Sequence, residues 1–209
     1  FIGFLLSFFL LPPTGSEKCI VNKRRRIPWR GLLKDREISG LFLFRFAYAC
    51  SIGIVWGFLP VMADERFSLS SSHIGILVML GVFISGLLHV PMGFLADRFN
   101  KRTMLITGGL IVSLAIFLYT RSGESSDLLA ASTLFGIGGG ISMPALMALA
   151  VIKGNRTGSM GSVMALITMA HSLGMLTGSL LAGAMMDMYT LNDAFYMGAV
   201  VMFIITVYI

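Results

Sequence analysis

The chain has 209 residues, of which 56% are hydrophobic and 12% are charged, whereas about 25% of the residues in an ordinary soluble domain carry a charge. This composition excludes a soluble globular domain and indicates a protein that lies in a lipid bilayer. The formal net charge is +6, but half of the basic residues lie in one segment beside a membrane span. Attraction to anionic lipid explains this segment, and nucleic acid is excluded as a partner.

Long apolar runs predict transmembrane helices, because a bilayer core about 30 Å thick needs roughly 20 apolar residues per helix. Transmembrane strands would be shorter, with polar residues alternating into a lumen. The predicted elements in chain order are a helix stub at 1–11 and six full spans at 38–62, 73–96, 103–120, 128–152, 159–186 and 194–209. The fold class is therefore an all-α integral membrane protein.

Short polar segments between the spans predict where helices begin and end. Ser70, Ser71 and Ser72 can cap the span that starts at His73, since serine is a favoured residue at helix N-termini. Asn100 precedes the next span, and asparagine is one of the few residues that adopt a left-handed turn readily. We therefore predict a left-handed turn at Asn100.

The distribution of basic residues predicts the orientation, because short loops rich in Lys and Arg stay in the cytoplasm. Thirteen of the sixteen basic residues lie in three alternate segments, namely 12–37, 97–102 and 153–158. The loops on the opposite side contribute only Arg66 and Arg121. We therefore expect a multi-pass protein of the plasma membrane, with the basic linker 12–37 in the cytoplasm.

Charged residues interrupt the apolar sequence in PMGFLADRFNKR, residues 91–102. The residues that form a pattern there are Gly93, Leu95, Asp97, Arg98, Lys101 and Arg102. This pattern resembles the loop motif Gly-x-Leu-Ala-Asp-Arg-x-Gly-Arg-Arg of the major facilitator superfamily. In that family the motif lies between the second and third helices and, often weakened, between the eighth and ninth. Asn100 stands where the family usually has Gly.

The resemblance implies a role for this loop in conformational gating, because in the family the motif is implicated in holding the two halves of the transporter together in one state. Gly93 allows close helix approach, and Asp97 can face the positive N-terminal end of a neighbouring helix. The cations Arg98, Lys101 and Arg102 fix the loop at the lipid surface. We assign Asp97 and Arg98 to gating. The alternative is a positively charged loop with a good turn.

The resemblance covers essentially the whole chain. Residues 1–11 resemble the end of the sixth helix, residues 12–37 the central cytoplasmic loop, and residues 38–209 the six-helix C-terminal bundle of a twelve-helix fold. This implies an N-terminal six-helix half as the partner of the bundle. Because the chain begins at Phe1 and ends at Ile209, each within an apolar run, we expect it to be part of a longer protein.

Two spans are rich in glycine. In GIGGGISMPALMAL, Gly136 and Gly140 are predicted to let neighbouring helices approach, and Pro144 to kink the helix. In HSLGMLTGSLLAG, Gly174 and Gly178 fall on one helix face and predict a packing surface. A nucleotide-binding loop is excluded, because the first glycine cluster lies in an apolar span and no Lys follows it.

Ionisable residues within spans indicate a transport path, because exposure to lipid is costly and such residues mostly face a cavity or a partner. His171 lies about 3 Å from the midpoint of its span by helical rise, and Thr168 and Met175 share its face. These three are candidates for the substrate or proton path, although His171 could also form a packing hydrogen bond. Arg45 lies about 10 Å into its span. It either snorkels to the cytoplasmic face or meets an anionic substrate or a carboxylate of the missing half.

The resemblance implies a secondary active transporter that works by alternating access. The glycine-rich span HSLGMLTGSLLAG resembles the eleventh helix of drug-type members, with Ser179 in place of the usual Pro. This favours proton-coupled efflux of small amphipathic or drug-like compounds. Uptake of a metabolite by a symporter or uniporter of the same fold is the alternative. No Asp or Glu lies in mid-span, so we expect any proton-carrying carboxylate in the missing half.

A membrane enzyme or receptor is the remaining alternative. The sequence contains neither a zinc-binding His-Glu-x-x-His nor a Gly-x-Ser-x-Gly nucleophile motif, and these are the motifs that hydrolytic membrane enzymes use. We therefore predict no catalytic residues, no metal and no cofactor. The expected partners are the lipid bilayer, a small-molecule substrate and protons.

Overall fold

The computed structural model describes residues 29–209. The predicted helix stub at 1–11 and the part of the basic linker at 12–28 lie outside the described residues. Within the described part of the chain there are helices and short connections but no β-strand. Six helices are long and apolar enough to cross a membrane, which confirms the predicted all-α integral membrane fold.

The helices are numbered in chain order. They are α1 (Trp29–Leu32), α2 (Arg36–Phe67), α3 (Ser71–Arg98), α4 (Lys101–Arg121), α5 (Ser125–Thr157), α6 (Met160–Met188) and α7 (Leu191–Tyr208). Helix α1 is a single turn within the predicted linker, and α2 to α7 correspond to the six predicted spans. Helices α2 to α5 extend beyond the predicted spans at both ends, because polar residues continue the helical hydrogen bonding outside the apolar run.

Local hydrogen bonds fix both ends of α2. The side chain of Asp35 occupies the N-cap and accepts hydrogen bonds from the backbone N–H groups of Glu37, at 3.0 Å, and Ile38. These are two of the donors that the first turn of a helix leaves unpaired. At the other end Ser68 has φ 47° and ψ 41°, and its N–H donates to the carbonyl of Asp64. The chain thus reverses here through a left-handed residue.

The predicted left-handed turn at Asn100 is wrong. Asn100 has φ −67° and ψ 109°, an extended conformation, and its side chain accepts a hydrogen bond from the backbone N–H of Arg102 at 3.0 Å. Asparagine therefore acts here as the N-cap of α4, a role that requires extended backbone. Ser70 occupies the N-cap position of α3, but its hydroxyl contacts Nδ1 of His73 at 2.9 Å and makes no cap hydrogen bond.

The helices pack as two parallel pairs. Along α6, Gly174 meets Phe46 and Gly183 meets Phe58 of α2, so the two helices run in the same direction. Helices α3 and α5 also run in the same direction in close contact. Helix α4 runs antiparallel to both α5 and α7, against which it packs. This arrangement buries α2 most deeply, with 72% of its apolar stretch buried against 11% for α3.

Glycines lie where the paired helices approach most closely. A Cβ atom added to Gly136 of α5 would lie 2.5 Å from the carbonyl oxygen of Gly81, and one added to Gly140 would lie 2.6 Å from Cβ of Leu88. Such separations are shorter than van der Waals contact between carbon atoms, so only glycine fits at these two positions. Small residues give the same close approach in other membrane bundles.

The second pair, α2 and α6, has the same kind of contact. A Cβ atom added to Gly174 would lie 2.7 Å from Cβ of Ala49, and one added to Gly178 would lie 2.7 Å from Cα of Cys50. These two helices therefore touch through backbone rather than through interlocking side chains. In the other pair, Pro144 lies half-buried inside α5, and the helix continues through it from Ser125 to Thr157.

The basic ends of three elements meet on one side of the bundle. Lys153 near the end of α5 forms ion pairs with Asp35, at 3.1 Å, and with Glu37 at the start of α2. Arg102 and Arg156 line the same depression. The start of α2, the α3–α4 loop and the α5–α6 loop thus share one face of the bundle, as the alternation of charged loops requires.

This ion pair also acts on Asp35. Burial of the carboxyl raises its pKa, but the hydrogen bonds from Lys153 and from the backbone of Glu37 and Ile38 outweigh burial, and the pKa of Asp35 is lowered. The carboxylate form is therefore the one that the folded protein stabilises at this helix end.

Candidate functional site

Arg45 carries a positive charge into the interior of the bundle. It lies nine residues after the start of α2, about 14 Å along the helix axis. Its Nη1 donates to Sδ of Met143 on α5, and its guanidinium lies 6.0 Å from the centre of the Tyr48 ring. Its Nε is buried and has no hydrogen-bond partner among the described residues.

The guanidinium of Arg45 does not snorkel to the basic end of the bundle. Its contact residue Met143 lies ten residues before Lys153, about 15 Å away by helical rise. Lys153 marks the end of the bundle where α2 begins. The side chain therefore reaches across to α5 at its own depth, because Met143 and the ring of Tyr48 hold it inside the bundle.

His171 lies on α6, the helix that packs against the backbone of α2 next to Arg45. Gly174, one turn further along α6, packs against the backbone of Phe46, the residue that follows Arg45 in α2. Nδ1 of His171 is buried and has no hydrogen-bond partner in the described part of the chain. Two predicted site residues thus lie on facing helices at similar depth, each with one buried nitrogen that has no partner among residues 29–209.

The other two predicted path residues do not join this pair. The hydroxyl of Thr168 donates to the carbonyl of Met164 in its own helix, at 3.0 Å, and the residue is exposed. Met175 packs against the hydrophobic core, close to Gly53 of α2. Thr168 and Met175 therefore have only local contacts within residues 29–209, and their place on a substrate or proton path stays a prediction.

A groove of about 220 Å³ lies between α2, α3 and α5, beginning at Tyr48. Most of its lining is apolar, and its aromatic walls are Tyr48, Phe135 and Trp56. The rings of Tyr48 and Phe135 stack with their centres 6.0 Å apart, and Trp56 is 45% exposed on the open side. The groove thus offers an apolar, aromatic surface next to the charge of Arg45.

Hydroxyl groups line the end of the groove that is nearest to Arg45. The hydroxyls of Tyr48 and Ser85 both lie against Gly139, where a Cβ atom would collide with Tyr48. Nδ1 of His89 contacts the carbonyl of Ser85 one turn earlier in α3. Tyr48 and Ser85 were not predicted from the sequence, because neither is charged. The spacing of three residues from Arg45 to Tyr48 on one helix face is the signal that could have found Tyr48.

The loop motif lies on the surface at the basic end of the bundle. Asp97 is exposed and forms no ion pair with any residue from 29 to 209. The guanidinium of Arg98 lies 4.2 Å from the centre of the Phe94 ring. No described side chain would meet a Cβ atom at Gly93, so the close helix approach predicted there is not made within the described helices. The gating role of Asp97 and Arg98 stays a prediction.

Lys101 and Arg102 belong to the first turn of α4, which begins at Lys101. They lie beside the N-cap residue Asn100 and face the same end of the bundle as the ion pairs of Lys153.

No group of three or more His, Cys, Asp or Glu side chains in residues 29–209 has the spacing of a metal site. The candidate site therefore consists of the Arg45 guanidinium, the His171 imidazole and the hydroxyls of Tyr48 and Ser85 beside the apolar groove.

The chain matches one known protein family over most of its length. Residues 41–209 match the sequence profile of the Major Facilitator Superfamily. The chain is 26% identical over 185 residues to an uncharacterized MFS-type transporter of Methanocaldococcus jannaschii, an overlap of 88% of this chain and 47% of that protein.

Two further relatives have more specific names. The multidrug resistance protein MdtH of Yersinia enterocolitica is 28% identical over 148 residues, which are 71% of this chain and 36% of the relative. The nitrite extrusion protein of Bacillus subtilis is 29% identical over 99 residues, which are 44% of this chain and 25% of the relative. The chain thus spans less than half of the length of each of these three relatives.

Proposed function

The chain belongs to the Major Facilitator Superfamily, and from this premise we propose that it is the C-terminal six-helix half of a secondary active transporter. The family is one of transporters, and the six apolar helices make the protein a multi-pass membrane protein. The observation that carries the proposal is the groove that begins at Tyr48, whose ring lies 6.0 Å from the guanidinium of Arg45. It places polar groups inside the bundle, where transporters of this architecture bind their substrates.

The N-terminal half is proposed as the partner of the open side of this bundle. Helix α3 is the least buried of the six, and large apolar side chains project from it. They include Met79, Val82, Phe83, Leu87, Val90 and Phe94. Val82 also lines the groove, so a second half that covers this part of α3 would close the groove into a central cavity.

Efflux of small amphipathic or drug-like compounds is the direction and substrate class that we propose. The names of two relatives, multidrug resistance and nitrite extrusion, support export. The apolar and aromatic lining of the groove supports amphipathic compounds, since flexible and aromatic side chains accept varied apolar ligands. Uptake of a metabolite by the same fold is the second candidate, because a groove of this kind does not by itself fix the direction.

Proton exchange is proposed as the driving reaction. His171 is an ionisable group at the depth of the candidate site, and imidazole changes its charge near neutral pH. No Asp or Glu lies within the apolar stretches of α2 to α7, so the proton-carrying carboxylate is assigned to the N-terminal half. The plasma membrane is the proposed location, with the basic end of the bundle in the cytoplasm.

A reconstituted transport assay tests the proposed function. The full-length protein is inserted into liposomes, and movement of ethidium, benzoate and a labelled amino acid is followed with an imposed pH gradient and without it. We expect one tracer to move against its gradient and to stop when a protonophore is added. Movement coupled in the same direction as protons would favour uptake. No movement of any tracer under either condition would overturn the proposal.

A further inference from the structure

The guanidinium of Arg45 lacks a carboxylate partner within the described helices. The nearest acidic residue along α2 is Glu37, eight residues earlier, and it is held by Lys153 at the helix end. Among residues 29–209, the only side-chain acceptor of Arg45 is the thioether of Met143, and a thioether is a weak acceptor. Burial of an arginine in a membrane bundle without an anionic partner is costly. The described residues therefore supply no negative charge to Arg45.

The geometry at Arg45 suits an anion with more than one oxygen. Nε of Arg45 and Nδ1 of His171 are both buried and unpaired among residues 29–209, and they lie on facing helices that are in backbone contact. Guanidinium nitrogens form a planar fork that binds carboxylate oxygens in pairs. An imidazole nitrogen adds a further donor when it carries the proton. Together the two side chains offer donors from two sides.

Tyr48 connects this charged position to the apolar groove. Its ring lies 6.0 Å from the guanidinium of Arg45 and also forms the first wall of the groove. Beyond it the groove continues along Ile52 and Trp56 of α2, which recur on the helix face of Tyr48. A compound that has a negative group at one end and an apolar body at the other matches this succession of surfaces.

We propose that Arg45 and His171 bind the anionic group of the substrate and that the groove from Tyr48 to Trp56 holds its apolar part. The substrate class is then small apolar acids, aromatic carboxylates in particular. This inference rests on the proposed transport function and narrows its substrates. The competing occupant of Arg45 is a carboxylate of the N-terminal half, which would leave the site without a preference for anions.

Binding to the purified full-length protein tests the inference. The probes are benzoate, its neutral analogue benzamide, octanoate and the cation ethidium, and the dissociation constants are measured by calorimetry at constant ionic strength. We expect benzoate to bind the wild type about tenfold or more tightly than benzamide, as a charge-assisted hydrogen bond predicts. Arg45→Gln should remove this preference and leave benzamide binding nearly unchanged. His171→Gln should reduce the preference by a smaller factor.

Two further variants separate binding from folding. Arg66→Gln removes the same charge from the exposed end of the same helix and should leave all four dissociation constants unchanged. Arg45→Lys keeps the charge but loses the planar fork, so it should fold and show an intermediate preference for benzoate. Arg45→Lys therefore decides the question if Arg45→Gln does not fold.

Three results would overturn the inference. One is equal affinity of the wild type for benzoate and benzamide, and another is a preference for acids that survives in both Arg45 variants. The third is binding of ethidium without binding of either acid. In each case transport of any tracer in the liposome assay would leave the proposed function intact, whereas the absence of all transport would remove both.

Discussion

At Gly178, α6 packs directly against the backbone of α2, because glycine has a hydrogen atom where other residues have Cβ. The space that a Cβ atom would need is occupied by the carbonyl and Cα of Cys50, and backbone atoms cannot move aside as a side chain can. Gly174 has the same relation to the backbone of Phe46 one turn earlier. The contact between the two helices therefore leaves no room for a methyl group at either glycine.

Gly178→Ala should lower the stability of the protein by about 1–3 kcal/mol, the usual cost of an overpacked contact. The measurement is the midpoint of thermal unfolding in detergent, followed by tryptophan fluorescence. Gly161→Ala is the matched control, because it lies in the same helix with open space around its Cα, and alanine favours helix over glycine. Equal midpoints for the two variants would contradict the close contact.

Arg45 and His171 could be found from the sequence because charge within an apolar run is a rare and visible signal. Tyr48 and Ser85 are uncharged and gave no signal of this kind, and the contacts of their hydroxyls with Gly139 form only on folding. Asn100 was mispredicted for a related reason. Asparagine suits both a left-handed turn and an N-cap, and only the neighbouring N–H of Arg102 decides between them.

At the scale of helices, one lysine links the start of α2 to the end of α5. Lys153 is the partner of both Asp35 and Glu37, so it connects the N-cap of α2 to the last turns of α5. Asp35 in turn holds the first N–H groups of α2. The start of one helix and the end of another are thus stabilised by the same small set of charges.

Asp35→Asn should destabilise the protein at neutral pH and have no effect in acid. Because the pKa of Asp35 is lowered in the folded protein, its stabilisation is complete above the unfolded value of about 3.9 and is lost as the pH falls through the folded value. The expected loss at pH 7 is at most about 1 kcal/mol, the range for exposed ion pairs. The test is the unfolding midpoint of both proteins from pH 7 to pH 3.

Lys153→Gln provides the control for this prediction. In that background the carboxylate of Asp35 has lost its ion pair and keeps only the backbone donors of α2, so Asp35→Asn should have a smaller effect at pH 7. A difference between wild type and Asp35→Asn that stayed constant down to pH 3 would contradict the ionic explanation.

The existence and order of the six spans could be predicted because hydropathy depends on each helix alone. The pairing of α2 with α6 and of α3 with α5 could not, since a glycine-rich face predicts close contact without naming the partner. The bounds of α5 also differ, from 128–152 in the prediction to Ser125–Thr157 in the structure. The ion pairs of Lys153 stabilise the polar end of α5, and hydropathy carries no information about ion pairs.

At the scale of the whole molecule, most basic residues of the described helix ends lie at one face, and the groove lies toward an open side. The loop motif, the end of α5 and the start of α2 share the basic face, while the Ser122–Glu124 turn lies at the other end of α4. The orientation that we propose for this bundle follows from that asymmetry, and so does the place where gating contacts with a second half would form.

Labelling of single cysteines tests the proposed orientation. In a background with Cys19→Ser and Cys50→Ser, the substitutions Ser126→Cys and Asn155→Cys place thiols at exposed positions at opposite ends of α5. A membrane-impermeant maleimide added to intact cells should react with the first and not with the second. Reaction with the second alone would invert the topology, and permeabilised cells should label both.

Asp97→Asn tests the gating role of the loop motif in the full-length transporter. Asp97 is exposed and has no ion-pair partner among residues 29–209, so we expect it to contact the proposed N-terminal half. Its loss should slow turnover about tenfold, the effect of one charge-assisted hydrogen bond. Substrate affinity should change little, because Asp97 lies at the end of α3, away from the groove. Asp187→Asn, an exposed carboxylate at the end of α6, is the control. Unchanged turnover at normal surface expression would refute the role.

Arg45 also has a consequence for biosynthesis. Helix α2 is translated before α5 and α6, so it enters the membrane when neither Met143 nor His171 exists. An arginine in the centre of a spanning helix opposes insertion by about 2.5–3.5 kcal/mol, and each surrounding Leu, Ile, Phe or Val favours it by about 0.3–0.6 kcal/mol. The dense apolar sequence on both sides of Arg45 therefore determines whether this span is integrated at all, before any substrate is bound.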